Sequence, residues 1–288
     1  MTHRSWQPER RRRRTRLTRR GKLALALGVA LAVAAAITIP LLLLDEDKPK
    51  PVPEKLKTLV IPEGWRAGQV YAAVDRSLGL PEGTTRTAAT APATALKLPT
   101  AAGGNPEGYL FPATYPVPPS STPQSLLRYM VDTAGKRFDA DRIGAGAQRH
   151  GLSVHQTVII ASIVQAEADT AEDMGKVARV VHNRLARGMA LQMDSTLNYA
   201  LNRSTVDTTH EDTRIDSPYN TYERTGLPPT PIGNPGEQAM TASIEPAKGD
   251  WLYFVTVRPG DTRFTADYAE HQANVAEFNA NRREARAE

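Results

Sequence analysis

Glu167 is the residue of this chain best placed to act as an acid. Ile160, Ile163 and Val164 recur at helical spacing, and Glu167 is the next position of that apolar series. A carboxyl group at the rim of an apolar face loses hydration, which raises its pKa and lets it hold a proton near neutral pH. Such a group can protonate the oxygen of a glycosidic bond.

Two predicted helices position this acid. The first covers residues 153–168 and starts with a capping box formed by Ser153 and Gln156. The second runs from 169 or 170 to 187, and Gly188 suits its carboxyl-terminal end. The acid therefore lies at the junction of the two helices. That position also allows a purely structural role, either as a cap of the second helix or as an ion-pair partner of an arginine such as Arg179 or Arg184.

Other kinds of catalytic site lack their residue patterns. The six histidines are scattered without a His-Glu-x-x-His motif, and no Gly-x-Ser-x-Gly or phosphate-binding loop occurs. His271 is interpreted as a packed or surface histidine. The chain has no cysteine, which excludes a thiol nucleophile, a thiolate metal site and disulfide bonds. No metal and no cofactor are expected.

The charge is divided unevenly along the 288 residues. Residues 1–22 contain 10 of the 36 Lys and Arg but one of the 31 Asp and Glu, which leaves a net −4 on the remainder. A nucleic-acid partner is therefore not expected, because a binding groove needs its positive charge on the folded part. The uncharged stretch 23–44 has 22 residues, and a helix of that length spans roughly 33 Å, enough for a bilayer.

This pattern predicts a cytoplasmic basic tail at 1–22, one transmembrane helix at 23–44 and an extracytoplasmic remainder in a bacterial inner membrane. A cleaved signal peptide is the alternative for the apolar stretch, and Arg19-Arg20 also permits a twin-arginine export signal. Residues 45–57 are charged and rich in proline, as expected of a stiff linker.

The exported part is predicted to be an α+β protein. A strand and a helix make a small unit at 58–80, a flexible connector of Thr, Ala, Pro and Gly follows at 81–105, and 106–288 forms the main domain. Within the main domain, helices are predicted over 125–138 and from about 266, with a strand over 251–257. This mixture does not suit a doubly wound sheet.

Several short sequence motifs occur in a fixed order and closely resemble those of the endolytic murein transglycosylase family, also called MltG-like or YceG-like proteins. The motifs are Tyr109-Leu-Phe-Pro112, Ala161-Ser-Ile-Val-Gln-Ala-Glu167-Ala, His182-Asn-Arg-Leu-Ala-Arg-Gly-Met189, Leu191-Gln-Met-Asp-Ser-Thr196, Ser217-Pro-Tyr-Asn-Thr-Tyr222, Gly226-Leu-Pro-Pro229, Pro231-Ile-Gly-Asn-Pro-Gly236 and Trp251-Leu-Tyr-Phe-Val255. The resemblance covers most of 106–280. The unit at 58–80 is similar to the small LysM-like subdomain of the family.

The resemblance implies a membrane-anchored enzyme that cuts nascent peptidoglycan between N-acetylmuramic acid and N-acetylglucosamine. The essential glutamate of the family maps onto Glu167, which would act first as acid and then as base toward the C6 hydroxyl and leave a 1,6-anhydro end. The matching motifs also supply candidate sugar-binding residues. These are Asn183, Gln192, Asp194, Thr196, Tyr219, Asn220 and Tyr222. Expected partners are peptidoglycan strands, the lipid bilayer through 23–44, and peptidoglycan synthases of the penicillin-binding class.

Two alternatives remain at this point. Asp194 could position a water molecule, which would make the chain a muramidase-like hydrolase. A non-catalytic scaffold that binds the cell wall and organises synthases is the other. The chain also departs from the family pattern at Gln165, where many relatives carry a second acid.

Overall fold

A computed structural model of the chain describes residues 18–44, 57–90, 96–138, 140–204 and 208–287. It divides into two compact units, Met1–Lys55 and Leu56–Glu288. The first unit contains one described helix, α1 (Arg19–Leu44). Most of the predicted basic tail and of the predicted linker lies outside the described residues.

Helix α1 contains one candidate membrane span. Its segment Arg19–Ile39 is long and apolar enough to cross a membrane by length and composition. Large apolar side chains along it are exposed to more than half, among them Leu23, Leu27 and Leu31. Exposed apolar side chains in such a run match a lipid environment better than water. The helix begins four residues before the predicted span.

The second unit is a mixed α+β fold, which confirms the predicted fold class. Its strands are β1 (Lys57–Val60), β2 (Thr114–Val117), β3 (Tyr253–Arg258) and β4 (Asp261–Thr265). Its helices are α2 (Ala67–Leu78), α3 (Thr84–Thr90), α4 (Pro123–Arg137), α5 (Ala140–Arg149), α6 (Val154–Glu167), α7 (Ala171–Ala186), α8 (Asp194–Ala200), α9 (Glu237–Ile244) and α10 (Tyr268–Ala287). Both sheets are antiparallel pairs, β1 with β2 and β3 with β4.

Strand β1 pairs with a segment far along the chain. Leu59 faces Tyr115 in the β1–β2 register, so the strand and helix predicted at 58–80 are completed by a strand from the predicted main domain. The predicted connector also contains helix α3. Asp75 of α2 accepts hydrogen bonds from the Gly83 backbone N–H and from the backbone and hydroxyl of Thr85, which ties α3 to α2. The LysM-like interpretation of this unit and the domain boundaries stay predictions.

Helix α6 is the centre of the fold. It starts at the predicted capping box, with the Ser153 hydroxyl accepting from the Gln156 N–H and the Gln156 side chain accepting from the Ser153 N–H. Every residue from Thr157 to Val164 is buried, so the helix is enclosed on all sides. The spacing of Ile160, Ile163 and Val164 had predicted a single apolar stripe. A helix that is apolar all round is surrounded by other elements, and α5, α7, α8 and α9 pack against it.

The loop at 231–236 is fastened to α6 by two side chains. The Ser162 hydroxyl accepts from the Ile232 N–H at 3.0 Å. The Gln165 side-chain oxygen accepts from the Gly236 N–H at 2.9 Å. These bonds satisfy backbone groups that would otherwise be buried without a partner.

Candidate active site

Glu167 is the last residue of α6. The next residue, Ala168, leaves the helix in an extended conformation with φ −144° and ψ 139°. Glu167 is partly exposed as a residue, and its carboxyl group is the part that neighbouring atoms shield from water. Burial raises the pKa of this carboxyl above its usual value. The carboxyl end of a helix carries partial negative charge, which also disfavours an ionised carboxylate.

The amino end of α8 lies against this carboxyl. The Ser195 backbone N–H donates to Glu167 Oε1 at 3.3 Å. After burial, which is the largest influence on the pKa of Glu167, Ser195 lowers that pKa and the negative charge of Asp194 raises it. The site therefore holds a carboxyl that is biased toward its protonated form and has one donor to stabilise its anion.

Asp194 is itself oriented by a tyrosine. The Tyr222 hydroxyl donates to Asp194 Oδ1 at 2.5 Å. Burial and the hydrogen bond to Asp194 raise the pKa of Tyr222, so the phenol stays protonated and acts as a donor. Glu167, Ser195, Asp194 and Tyr222 thus form one polar cluster, which contains three of the predicted site residues.

Gln192 is presented next to this cluster by a buried arginine. Gln192 is exposed, and its backbone has a positive φ of 50°. Arg184 donates to the Leu191 carbonyl at 2.6 Å, to the Gln192 side chain at 3.2 Å and to the Leu252 carbonyl at 2.6 Å. Arg184 is 5% exposed. Its guanidinium orders the backbone that leads to Asp194, and no ion pair joins it to Glu167 in the described part of the chain.

Thr196 and Asn220 do not reach the surface of the structure, and their contact with sugar stays a prediction. Both side chains are 0% exposed. The Thr196 hydroxyl donates to the Met193 carbonyl at 2.7 Å and lies 2.9 Å from the Thr221 hydroxyl. The Asn220 amide donates to two carbonyls of residues 213–215 and accepts from the Tyr222 N–H at 3.0 Å. These contacts position Tyr222 and the first turn of α8, which contains Asp194 and Ser195.

Asn183 and Tyr219 lie in other hydrogen-bonded groups. The Asn183 amide donates to the Trp251 carbonyl at 2.9 Å and anchors the turn before β3. The Tyr219 hydroxyl pairs with the Thr230 hydroxyl at 2.8 Å, and its ring packs on Tyr199 with centroids 4.9 Å apart. Neither has a hydrogen bond to the Glu167 cluster among the described residues.

Gln165 lies at the position where the resemblance to the family implies a second acid in many relatives. Its side-chain oxygen is committed to the Gly236 N–H, as described above. An amide performs this structural task without adding a second negative charge near Glu167. This contact gives Gln165 a local reason to be uncharged.

Glu107 is a buried acid that the sequence analysis missed as a site residue. It is 4% exposed, and burial raises its pKa to about 7. The Ala67 N–H donates to it at 2.9 Å, the Asn234 amide at 3.2 Å and the Tyr199 hydroxyl at 3.3 Å. The sequence offered one signal for Glu107, which lies two residues before Tyr109, the first residue of a motif shared with the family.

Metal ligands are not gathered anywhere in the described ranges. No group of three or more His, Asp or Glu side chains there is arranged to hold a metal ion. The expectation that no cofactor is needed stays a prediction.

Comparison with known proteins identifies relatives over most of the chain. The sequence profile of the YceG-like family matches residues 37–277. The endolytic murein transglycosylase of Bacillus subtilis is 37% identical over 166 residues, which are 57% of this chain and 46% of that protein. That of Streptococcus pneumoniae is 38% identical over 177 residues, which are 59% of this chain and 32% of that protein. The chain spans less than half the length of these curated relatives.

A solved structure shares the fold. The crystal structure of a YceG-like protein from Listeria monocytogenes has a TM-score of 0.66 and 30% sequence identity to this chain. The similarity covers 76% of this chain and 75% of the Listeria protein. The family profile also covers most residues of the present chain, so this chain belongs to the YceG-like family.

Proposed function

We propose that this chain is a lytic transglycosylase that cuts peptidoglycan glycan strands and leaves a 1,6-anhydro-N-acetylmuramic acid end. The observation that carries the proposal is the partly buried Glu167 carboxyl, with its raised pKa, beside Ser195 and Asp194. The murein transglycosylase names of the two curated relatives support the substrate.

In the proposed mechanism, protonated Glu167 gives its proton to the oxygen between N-acetylmuramic acid and N-acetylglucosamine. The bond to the muramyl C1 breaks, and the departing sugar leaves with a free hydroxyl. The ionised Glu167 then removes the proton from the muramyl C6 hydroxyl, whose oxygen bonds to C1. The Ser195 N–H stabilises the carboxylate between these steps, because it donates to the oxygen that carries the charge.

Asp194, Gln192 and Tyr222 are proposed to line the sugar-binding cleft around Glu167. Asp194 and Tyr222 belong to the same cluster, and the Gln192 side chain is exposed beside it. Thr196 and Asn220 are proposed to act indirectly, through the turn and loop they hold. Asn183 and Tyr219 are proposed to support more distant walls.

The membrane arrangement belongs to the same proposal. Helix α1 is proposed to anchor the chain in the bacterial cell membrane with its basic amino end in the cytoplasm. The arginines of residues 1–22 and the acidic Asp45-Glu-Asp47 flank favour that orientation. The folded unit then works on glycan outside the membrane, near the synthases that make it. The unit at 58–80 is proposed to assist glycan binding.

A hydrolase remains the second candidate function, because Asp194 lies beside Glu167 and could direct water at C1. Product analysis separates the two reactions. The full-length chain in detergent is incubated with uncrosslinked glycan, and the products are analysed by mass spectrometry. A transglycosylase yields ends lighter by one water than those of a hydrolase. Reducing muramic ends without anhydro ends would contradict the proposal.

The role of Glu167 is tested by Glu167→Gln beside a matched control. Glu223→Gln removes an exposed carboxylate in the loop that follows Tyr222. We expect Glu167→Gln to abolish cleavage with the fold retained, because an amide cannot supply the proton, and Glu223→Gln to cleave normally. Wild-type chain that binds glycan but never cuts it would favour the scaffold alternative.

A further inference from the structure

The described residues form a groove at the carboxyl end of α8, whereas Glu167 contacts the amino end of that helix. Its volume is about 930 Å³, and its walls come from the amino end of α2, from α3, from residues 103–107 and from residues 199–204. Glu107 lies in its wall, and Glu167 does not line it. None of the proposed catalytic steps uses this groove.

The groove carries excess positive charge. Three arginines line it, Arg66, Arg86 and Arg203, whereas Glu107 is the single acid among its described lining residues. Arg203 pairs with Asp212 at 2.6 Å. Arg86 is exposed, and no carboxylate in the described residues lies within ion-pair distance of it. The groove is therefore suited to an anion.

Two of the arginines are held by aromatic rings. The Arg66 guanidinium lies over the Tyr199 ring at 5.2 Å, and the Arg86 guanidinium lies over the Tyr71 ring at 5.7 Å. Stacking occupies the flat face of a guanidinium and leaves its N–H edge for polar partners. Arg66 Nη2 donates to the Arg203 carbonyl at 2.8 Å, which leaves the other N–H groups of Arg66 for a carboxylate. Stacking also covers the faces of both tyrosines, which disfavours stacking of a sugar ring there.

A short helix separates this groove from the proposed catalytic acid. Ser195 at the amino end of α8 contacts Glu167, and Tyr199 near the other end lines the groove. Seven helical residues span about 10 Å, so a ligand in the groove lies close to Glu167. A glycan strand bound at Glu167 can therefore place one of its substituents in the groove.

We infer that the groove binds a free carboxylate of the peptide stem carried by the glycan strand, with Arg86 and Arg66 as its partners. The inference rests on the proposed function for the identity of the strand. It assigns the chain a preference for glycan that still bears its stems. The protonated fraction of Glu107, whose pKa is near 7, limits the repulsion that this acid exerts on an anion in the groove.

The first experiment measures cleavage by the full-length chain in detergent. The substrates are uncrosslinked glycan with stems and the same glycan stripped by an amidase. The variants are wild type, Arg86→Gln and the control Arg128→Gln, which removes an exposed arginine of α4. We expect Arg86→Gln to raise KM for stem-bearing glycan by about tenfold with kcat unchanged, since a charge-assisted hydrogen bond is lost. Neither variant should change KM for stripped glycan.

The second experiment measures binding without cleavage. Calorimetry compares a synthetic stem pentapeptide, its carboxyl-amidated form and inorganic phosphate on the same three proteins. Wild type and Arg128→Gln should bind the free acid, Arg86→Gln should bind it about tenfold more weakly, and the amidated form should not bind. Equal binding of the acid and the amide, or of wild type and Arg86→Gln, would overturn the inference. Binding of phosphate in preference to the peptide would also overturn it.

The two experiments separate the inference from the proposed function. Wild-type chain that cleaves neither glycan but binds the pentapeptide through Arg86 would remove the proposed activity and keep the groove assignment. Cleavage of both glycans with the same KM would keep the activity and remove the groove assignment.

Discussion

Glu167 and Glu107 are two acids whose pKa burial raises, but they are held in different ways. Glu107 is 4% exposed and accepts three hydrogen bonds, from a backbone N–H, an amide and a phenol. Glu167 is partly exposed and, among the described residues, accepts one hydrogen bond, from the Ser195 N–H at 3.3 Å. The first carboxyl is therefore held by more donors than the second.

This comparison shows why a raised pKa alone does not identify a catalytic acid. Desolvation shifts both groups in the same direction, and structural networks perturb pKa values as active sites do. What separates the two is the number of donors already bound to each carboxyl. Glu107 joins α2, the 231–236 loop and α8, so its main effect is on the fold, whereas the hydrogen bond of Glu167 among the described residues comes from the amino end of α8 alone.

The largest expected effect is a contrast in activity between the same substitution at the two acids. Glu167→Gln should lower kcat by about 10³-fold, within the usual contribution of a general acid. Glu107→Gln should lower kcat/KM by about tenfold or less, because Glu107 takes no part in the proposed proton transfers. Initial rates on stem-bearing glycan provide the measurement. An equal loss from both substitutions would erase the distinction between them.

The second-largest effect is a pH-dependent gain in stability from Glu107→Gln. The folded pKa of Glu107 is about 7 instead of 4.5, so ionising it destabilises the fold increasingly as pH rises through that interval. Glu107→Gln removes this penalty and should stabilise the protein by up to about 3 kcal/mol above pH 8. The gain should vanish at pH 4, where the carboxyl is protonated in both states. Thermal melting at the two pH values measures it, and a loss of stability at pH 8 would contradict the prediction.

A smaller effect is expected from Asp194→Asn. The charge of Asp194 raises the pKa of Glu167, so its removal lowers that pKa and depletes the protonated acid at alkaline pH. The alkaline limb of the kcat/KM profile should therefore move to lower pH. On the acidic side, more than about a tenth of the rate should remain, whereas a water-directing base would cost ~10²-fold or more. Such a large loss at all pH values would favour the hydrolase.

The smallest effect is predicted for Thr196→Val. The hydroxyl is buried against Thr221 and Met193, so its loss should destabilise the fold by about 1 kcal/mol. Because the side chain does not reach the cleft, KM for glycan should not change. Chemical denaturation and steady-state kinetics test the two parts separately. A rise in KM without loss of stability would restore Thr196 as a sugar contact.

Local signals explain which predictions succeeded. The capping box of α6, the Thr170 cap of α7 and the strand near Trp251 depend on neighbouring residues, so they could be recognised in the sequence. The 84–90 helix was missed because Asp75, several residues earlier, holds it in place. The pairing of β1 with β2 was missed because β2 lies more than 50 residues further along the chain.

The candidate site shows the same division. The motifs shared with the family pointed to Glu167 and its neighbours in the chain. A motif does not distinguish a side chain that faces the surface from one that faces the core. Asp194 and Thr196 are two residues apart in α8, yet one lies beside Glu167 and the other is buried. Helical geometry sends such neighbours to different faces, and packing decides which face is exposed.

By itself, the sequence determined the charge division, the apolar length of α1, the ends of α6 and α7, and membership of a family by its ordered motifs. The tertiary structure alone decided the surroundings of Glu167, the burial of Glu107 and the arginine-lined groove between α2 and α8. The reason is physical. Capping and hydropathy act between residues close in the chain, whereas desolvation and charge proximity arise only when distant segments pack together.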